Sequence, residues 1–265
     1  MQEQPVDMQM LSKIKRFFKC HRWFRRRSVV NDRTEILDQV NSLKGRATMT
    51  ENREMLKNRD YTLIIDKSGS MAITDDDDEE KVKNEREIKT RWELMEESTI
   101  ALASKCEKLD PDGITVYVFS DRFTPYTNVT ARKVAQIFED EDPFGQTNLV
   151  EVLQAALSDY FQRKAGGQTK LNGETILIVT DGKPDDQVAV ARVIVEATQK
   201  IDKKEDLTIS FIQIGKDKEA TKYLKILDTQ LEEKGAKYDI VNTITIDEIV
   251  RQGLTLTQVL LNAIQ

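Results

Sequence analysis

Five side chains with oxygen donors, in three separate segments of this sequence, are the first candidates for binding chemistry. Three of them follow the apolar run at 61–65 at alternate positions, one lies in the loop GQTNL at 145–149, and one follows the apolar run at 175–180. The five residues are Asp66, Ser68, Ser70, Thr147 and Asp181. Together they offer two carboxylates and three hydroxyls, with no nitrogen or sulfur donor.

This donor set matches a hard divalent cation. Mg²⁺ prefers oxygen ligands, takes one or two carboxylates and keeps several waters, whereas softer metals prefer imidazole or thiolate. Mn²⁺ or Ca²⁺ fits the same oxygens. Because hydroxyls are neutral, an ion held here keeps affinity for one more carboxylate, which an Asp or Glu of a protein partner would supply. Asp, Ser and Gly also gather in ordinary turns, so the prediction depends on the three segments together.

Alternating strand-like and helix-like segments must position these residues. Apolar runs predict strands at 61–66, 113–120, 174–182 and 207–215, with short extended pieces at 126–129 and 238–241. Helical spacing predicts a helix after Asn148 and others at 85–109, 130–140, 186–203, 217–235 and 246–263. The alternation predicts an α/β domain over residues 58–265, a doubly wound, mostly parallel sheet with helices on both faces. Ligands of such sheets bind at the carboxyl ends of the strands.

The five residues resemble the metal-ion-dependent adhesion site (MIDAS) of the von Willebrand factor type A (VWA) family. In that family, D-x-S-x-S follows the first strand, a threonine comes from a later loop, and an aspartate follows the fourth core strand. This sequence has the same order in Asp66, Ser68, Ser70, Thr147 and Asp181. The threonine loop reads Gly-Gln-Thr where the family commonly has Gly-Gly-Thr. The resemblance covers about residues 58–250 and implies a Rossmann-like VWA fold. It also implies Mg²⁺ at the top of the sheet, contacted directly by the serines and directly or through water by the other three.

The resemblance also implies a role. Domains of this kind bind protein partners, and the family often works beside AAA+ ATPases or in bacterial stress and metal-resistance systems. An AAA+ ATPase is therefore one expected partner, although this chain has no Gly-x-x-x-x-Gly-Lys-Ser/Thr motif of its own. We expect a Mg²⁺-dependent protein–protein interaction module and not an enzyme.

A Mg²⁺-dependent phosphatase-like hydrolase of the haloacid-dehalogenase class is the alternative. Those enzymes also place an aspartate after the first strand of a similar sheet. The general acid/base expected two residues later is Ser68 here, and a hydroxyl cannot shuttle protons at neutral pH as a carboxyl can. The single histidine, His21, lies outside the α/β body, so a Ser-His-Asp or Cys-His arrangement cannot form there.

Composition favours a soluble, cytoplasmic protein. Of the 265 residues, 39% are hydrophobic and 32% are charged. No apolar run reaches the roughly 20 residues of a membrane span, and we expect no secretory signal. Two cysteines fit a reducing compartment. Cys106 is expected to be a small buried residue, and Cys20 beside His21 lacks the partners of a zinc site.

Residues 1–57 do not join the α/β pattern and are predicted to be a basic, aromatic-containing N-terminal extension, either disordered or helical. Residues 1–60 carry 14 Lys and Arg against 8 Asp and Glu, whereas the rest carries 26 against 38. The segment KIKRFFKCHRWFRRR at 13–27 interleaves eight Lys and Arg with aromatic residues. It suits an anionic membrane surface or nucleic acid, a disordered tail, or a helix that docks on the acidic body. Met49 is an alternative translation start.

The acidic run TDDDDEE at 74–80 lacks the Asp, Asn and Gly alternation of a helix-loop-helix calcium site. We expect a solvated loop beside the metal site, where it would repel acidic partners that carry no basic patch.

Overall fold

The structure is a computed structural model that describes residues 54–75 and 89–264. The predictions for the basic extension up to residue 53, and for residues 76–80 of the acidic run, lie outside the described residues. The strands are β1 Asp60–Asp66, β2 Ile114–Phe119, β3 Phe123–Val129, β4 Glu174–Thr180, β5 Leu207–Gln213 and β6 Val241–Thr245. The helices are α1 Arg91–Leu109, α2 Ala131–Asp140, α3 Leu149–Ala165, α4 Gln187–Thr198, α5 Lys218–Gln230, α6 Ile246–Gln252 and α7 Leu256–Asn262.

The strands form one sheet in the order β3-β2-β1-β4-β5-β6. Every neighbouring pair is parallel except β2 and β3, which are antiparallel. The chain winds outward from β1 to β3 and then returns to the other side of β1 with β4. The strand order thus reverses between β1 and β4, and the carboxyl ends of these two strands border the crevice in which ligands of doubly wound sheets bind. The predicted fold class is confirmed.

Alternate strand residues face two separate apolar layers, as the period of two in a strand requires. On one face, Leu63 and Ile65 of β1 pack in the cluster that includes α1, α2 and α7. On the other face, Ile64 packs in the cluster that includes α3, α4 and α5. Both layers are fully buried around β1 and β4, so the two central strands form a rigid support for the loops that follow them.

Two predicted elements at the end of the chain are wrong in position or extent. The last strand is Val241–Thr245 and not 238–241. It is an edge strand in which three of the five residues are polar, so a search for an apolar run placed the strand too early. The predicted helix at 246–263 is two helices, because Gly253 adopts a left-handed φ of 63° and Thr255 starts a new helix with a capping box.

Two earlier boundaries also differ from the prediction. The strand β3 begins at Phe123 and not at 126. Pro125 has no N–H to donate, and it is tolerated because β3 is an edge strand with no neighbour on its outer side. Helix α1 begins at Arg91, since Thr90 and Glu93 form a capping box there, and residues 85–88 of the predicted helix lie outside the described residues.

Residues 54–57, which the sequence assigned to the extension, pack on the α/β body. The side chain of Leu56 is fully buried, and its carbonyl accepts a 2.7 Å hydrogen bond from the Tyr61 hydroxyl. Across the described ranges, no helix is both long and apolar enough to cross a membrane.

Candidate functional site

Asp66 is the last residue of β1 and is fully buried. Its Oδ1 accepts a 2.8 Å hydrogen bond from the backbone N–H of Ser68. Its Oδ2 accepts a 2.6 Å hydrogen bond from the hydroxyl of Thr180. Thr180 ends β4 and comes beside Asp66 because Ile65 pairs with Val179 in the parallel ladder. Sequence reasoning missed Thr180, although its place just before Asp181 could have indicated a role.

The two serines connect Asp66 to the end of β4. A short 3₁₀ turn, Gly69–Ala72, follows Ser68 and folds the chain back on itself. The hydroxyls of Ser68 and Ser70 lie 3.1 Å apart, and the Ser70 hydroxyl donates a 2.9 Å hydrogen bond to Oδ1 of Asp181. Asp181 is fully buried. Four of the five predicted residues therefore form one connected group.

Thr147 lies in a loop that is hydrogen-bonded to the loop after β1 and to the loop after β4. The N–H of Gly69 donates to the carbonyl of Gly145 at 3.0 Å, and the N–H of Phe144 donates to the carbonyl of Lys67 at 2.7 Å. On the other side, the Thr147 carbonyl accepts from the N–H of Asp185 at 3.1 Å. No hydrogen bond joins the Thr147 hydroxyl to any group in the described part of the chain. That hydroxyl therefore remains available as a donor or ligand.

Asp121 supports the Thr147 loop and was not predicted from the sequence. Its Oδ1 accepts a 3.2 Å hydrogen bond from the N–H of Gln146. Gly145 adopts a left-handed φ of 90°, and a Cβ there would clash with Oδ2 of Asp121. The left-handed conformation therefore favours glycine at 145, and Asp121 occupies the space that a Cβ would take.

Comparisons with known proteins support the fold and go no further. No protein-family model and no curated protein sequence matches this chain. Among solved structures, the D319A mutant of the PilB minor pilin from Streptococcus sanguinis matches with a TM-score of 0.54 and 11% identity, over 78% of this chain and 62% of that one. PilB itself gives 0.49 at 12% identity with the same coverage. The manganese-loaded TRAP protein of Plasmodium vivax gives 0.47 at 13% identity, over 76% and 74%. The chain thus spans about three fifths of the pilin structures, and at 11% identity the structural likeness to the pilin mutant supports an α/β fold alone.

The two carboxylates of the group differ in their counter-charges. Asp181 forms an ion pair with Arg91, the first residue of α1, with 2.6 Å between Oδ2 and Nη1. No Lys or Arg pairs with Asp66 among the described residues. Burial raises the pKa of Asp66 to about 6, with the nearby charge of Asp181 acting in the same direction, although hydrogen bonds from Thr180 and Ser68 oppose the shift.

The donor chemistry of this group fits a hard divalent cation. Within the described residues, no cluster of three or more His, Cys, Asp or Glu side chains is arranged to hold a metal. The group instead offers two buried carboxylates and serine hydroxyls, which is an all-oxygen set. A cation would also stabilise the Asp66 carboxylate, because burying an unpaired negative charge costs free energy of folding.

Cys106 is fully buried in the layer formed with α1, as predicted. Burial raises the pKa of its thiol well above the ordinary value. A thiol in this environment is unreactive, so it has no part in the candidate site.

Proposed function

We propose that this chain is a Mg²⁺-dependent protein-binding module with a MIDAS-like site of the VWA type. Its partner would contribute an Asp or Glu side chain to the ion. Asp66, Ser68, Ser70, Thr147 and Asp181 would hold the cation. When bound, Mg²⁺ supplies positive charge and a coordination position for the incoming carboxylate; Mn²⁺ or Ca²⁺ could replace it.

The observation that carries this proposal is the environment of Asp66. A carboxylate that is fully buried, hydrogen-bonded on both oxygens and without a cation among the described residues is destabilising as an anion. Hydroxyls from Ser68 and Ser70 lead from it to a second buried carboxylate, Asp181. A divalent cation would neutralise both charges at once.

Two exposed apolar residues in the loops around the group would contact a docked protein. Phe144, in the Thr147 loop, leaves 64% of its surface exposed, and Ile73, at the end of the 3₁₀ turn, leaves 51% exposed. A partner carboxylate flanked by apolar side chains would suit this surface.

The environment of Lys67 argues against a phosphatase-like hydrolase. Its Nζ lies 2.6 Å from Oε2 of Glu141 and 5.7 Å from the centre of the Phe144 ring. The lysine is therefore engaged with an acid and does not serve as a free cation for a phosphoryl group. Position 68 also lacks the carboxyl that this class of hydrolase requires.

Calorimetric titration with Mg²⁺ tests the metal site first. We expect the wild-type protein to bind one Mg²⁺ ion, and Asp66→Ala to bind none while it keeps its α/β circular dichroism spectrum. Asp239→Asn removes an exposed carboxylate, 49% exposed, that precedes β6 at the amino ends of the strands. This control should bind Mg²⁺ as the wild type does.

An affinity capture from native extract, with and without Mg²⁺, then tests partner binding. Ser68→Ala should lose the partner, and Ser158→Ala, an exposed serine of α3, should keep it. Capture that persists in saturating EDTA would contradict the proposal. An AAA+ ATPase is the partner that family resemblance suggests, and the cytoplasm is the compartment in which we propose the encounter. Release of phosphate from p-nitrophenyl phosphate that Asp66→Asn abolishes would favour the hydrolase instead.

A further inference from the structure

Arg91 joins the candidate site to a third acidic residue, Asp75. Its Nη1 lies 2.6 Å from Oδ2 of Asp181. Through a different edge of the guanidinium, Nη2 lies 2.5 Å from Oδ1 of Asp75, and Nε lies 3.0 and 3.1 Å from the two Asp75 oxygens. One cation thus bridges a proposed metal ligand and the second residue of the acidic run at 74–80.

The surrounding backbone contacts this bridge on two sides. The Arg91 N–H donates to the carbonyl of Ile73 at 2.9 Å, which ties the start of α1 to the loop that carries Asp75. Gly215, just beyond β5, packs directly against the pair with a φ of 79°, and a Cβ there would lie 2.5 Å from Oδ2 of Asp75 and 2.8 Å from Nε of Arg91. The Arg91 side chain is only 13% exposed. The bridge is therefore packed and not a solvated surface pair.

Arg91 also contributes to the charge of the site. Two carboxylates, Asp66 and Asp181, would balance a divalent ion and leave a neutral centre. Arg91 adds one positive charge in contact with Asp181, and hydrogen bonds to Asp75 raise the pKa of Arg91 above its ordinary value. Because the guanidinium stays protonated at neutral pH, its charge would act on both a bound cation and any ligand of that cation.

We propose that Arg91 is a specificity-determining residue that weakens cation binding and strengthens the binding of a carboxylate to the metal-loaded site, and that Asp75 moderates both effects. This inference rests on the proposed function, since it describes the same site. Like charges repel and unlike charges attract across a partly buried site with little screening. A positive side chain beside Asp181 must therefore oppose the cation and favour the anion that follows it.

Three variants separate the charge of Arg91 from its packing. Arg91→Gln removes the charge but keeps polar contacts, Arg91→Lys keeps the charge without the bidentate contact, and Asp75→Asn keeps Arg91 but removes its counter-charge. Mg²⁺ binding is measured by calorimetry at low ionic strength. Carboxylate binding to the Mg²⁺-saturated protein is measured with trifluoroacetate by ¹⁹F NMR, and circular dichroism verifies the fold of each variant.

The expected changes have opposite signs. Arg91→Gln should bind Mg²⁺ about tenfold tighter and trifluoroacetate about tenfold more weakly than the wild type. Asp75→Asn should do the reverse, and Arg91→Lys should stay close to the wild type. A purely structural bridge predicts a different pattern, because Arg91→Gln and Asp75→Asn break the same ion pair and would then change each affinity in the same direction.

The outcomes distinguish this inference from the proposed function. If the wild type binds Mg²⁺ and Arg91→Gln binds it equally or more weakly, the role of Arg91 is overturned and the metal site stands. If neither protein binds Mg²⁺, the proposed function is overturned, and the inference fails with it.

Discussion

The hydroxyl of Ser70 donates a hydrogen bond to Oδ1 of Asp181 at 2.9 Å, although the two residues lie 111 positions apart in the chain. This contact joins the loop after β1 to the loop after β4, across the place where the strand order reverses. It makes the D-x-S-x-S segment and the strand-terminal aspartate parts of one group.

The ionisation of Asp66 should make the metal-free protein less stable at neutral pH. Its pKa is raised to about 6 from the ordinary value of 3.8, so the folded protein holds the proton more tightly than the unfolded chain. The free energy of unfolding should therefore fall as pH rises from about 4 to about 6 and stay low above that. Asp66→Asn removes this effect, and its amide can still accept from the Ser68 N–H. In EDTA at pH 7.5 it should be more stable than the wild type by about 1–3 kcal/mol, measured by urea unfolding.

Mg²⁺ should not raise the unfolding free energy of Asp66→Asn, whereas it should raise that of the wild type. At pH 4 the two proteins should unfold at similar urea concentrations. An Asp66→Asn protein that is less stable than the wild type in EDTA at pH 7.5 would show that the buried charge is compensated in some other way.

The conformation of the Thr147 loop should depend on glycine at position 145. Gly145→Ala places a Cβ against Asp121 and also forces alanine into a left-handed conformation. Gly167 has a similar φ of 67°, and a Cβ added there would meet no atom within 4 Å. Gly167→Ala therefore carries the conformational cost alone, about 1 kcal/mol.

Gly145→Ala should therefore lose more thermal stability than Gly167→Ala. It alone should also weaken Mg²⁺ binding, because the added Cβ displaces the Asp121 side chain and so removes its hydrogen bond to the Gln146 N–H, which supports the loop that carries Thr147. Equal Mg²⁺ affinity in both variants would remove Thr147 from the ligand set.

The Thr180 hydroxyl should lower the pKa of Asp66. Thr180→Val removes the 2.6 Å hydrogen bond to Oδ2 but keeps the shape of the side chain. A lost hydrogen bond to a charged group costs about 1.5–3 kcal/mol, and here it should raise the pKa of Asp66 further. The pH above which Mg²⁺ binds should thus move upward in calorimetric titrations. Thr180→Ser keeps the hydroxyl and is expected to behave as the wild type; a matching upward shift in that variant would point to packing instead.

Arg59 should stabilise the amino ends of the strands without affecting the site at their carboxyl ends. It is 1% exposed and donates to the carbonyls of Asn172, Glu205 and Glu174. Arg59→Met removes these hydrogen bonds, of which the one to Glu174 is buried and the other two are part-buried, so we expect a loss of about 3–5 kcal/mol in unfolding free energy. The Mg²⁺ affinity of the folded fraction should not change. A coupled loss of affinity would mean that the two ends of the sheet are not independent.

Local patterns in the sequence were sufficient to predict most of the central sheet and the positions of its loops. Largely apolar runs placed β1, β2, β4 and β5 because strands that are buried on both faces are rich in apolar and β-branched residues. The alternating oxygens after β1 were visible because a turn explains Gly69 but not Asp66, Ser68 and Ser70. Edge elements were predicted less well, since β6 has a single neighbour and tolerates polar residues along its length.

Only the tertiary structure decided which distant side chains meet. The hydrogen bond from Thr180 to Asp66, the support of Gln146 by Asp121, and the bridge from Arg91 to Asp181 each join residues that no spacing rule connects. The physical reason is that strand register and strand order bring loop ends together, and neither is encoded within one segment. The sequence by itself determined that oxygen donors follow the strands; the folded sheet determined that Asp66 is buried without a cation among the described residues while Asp181 has one.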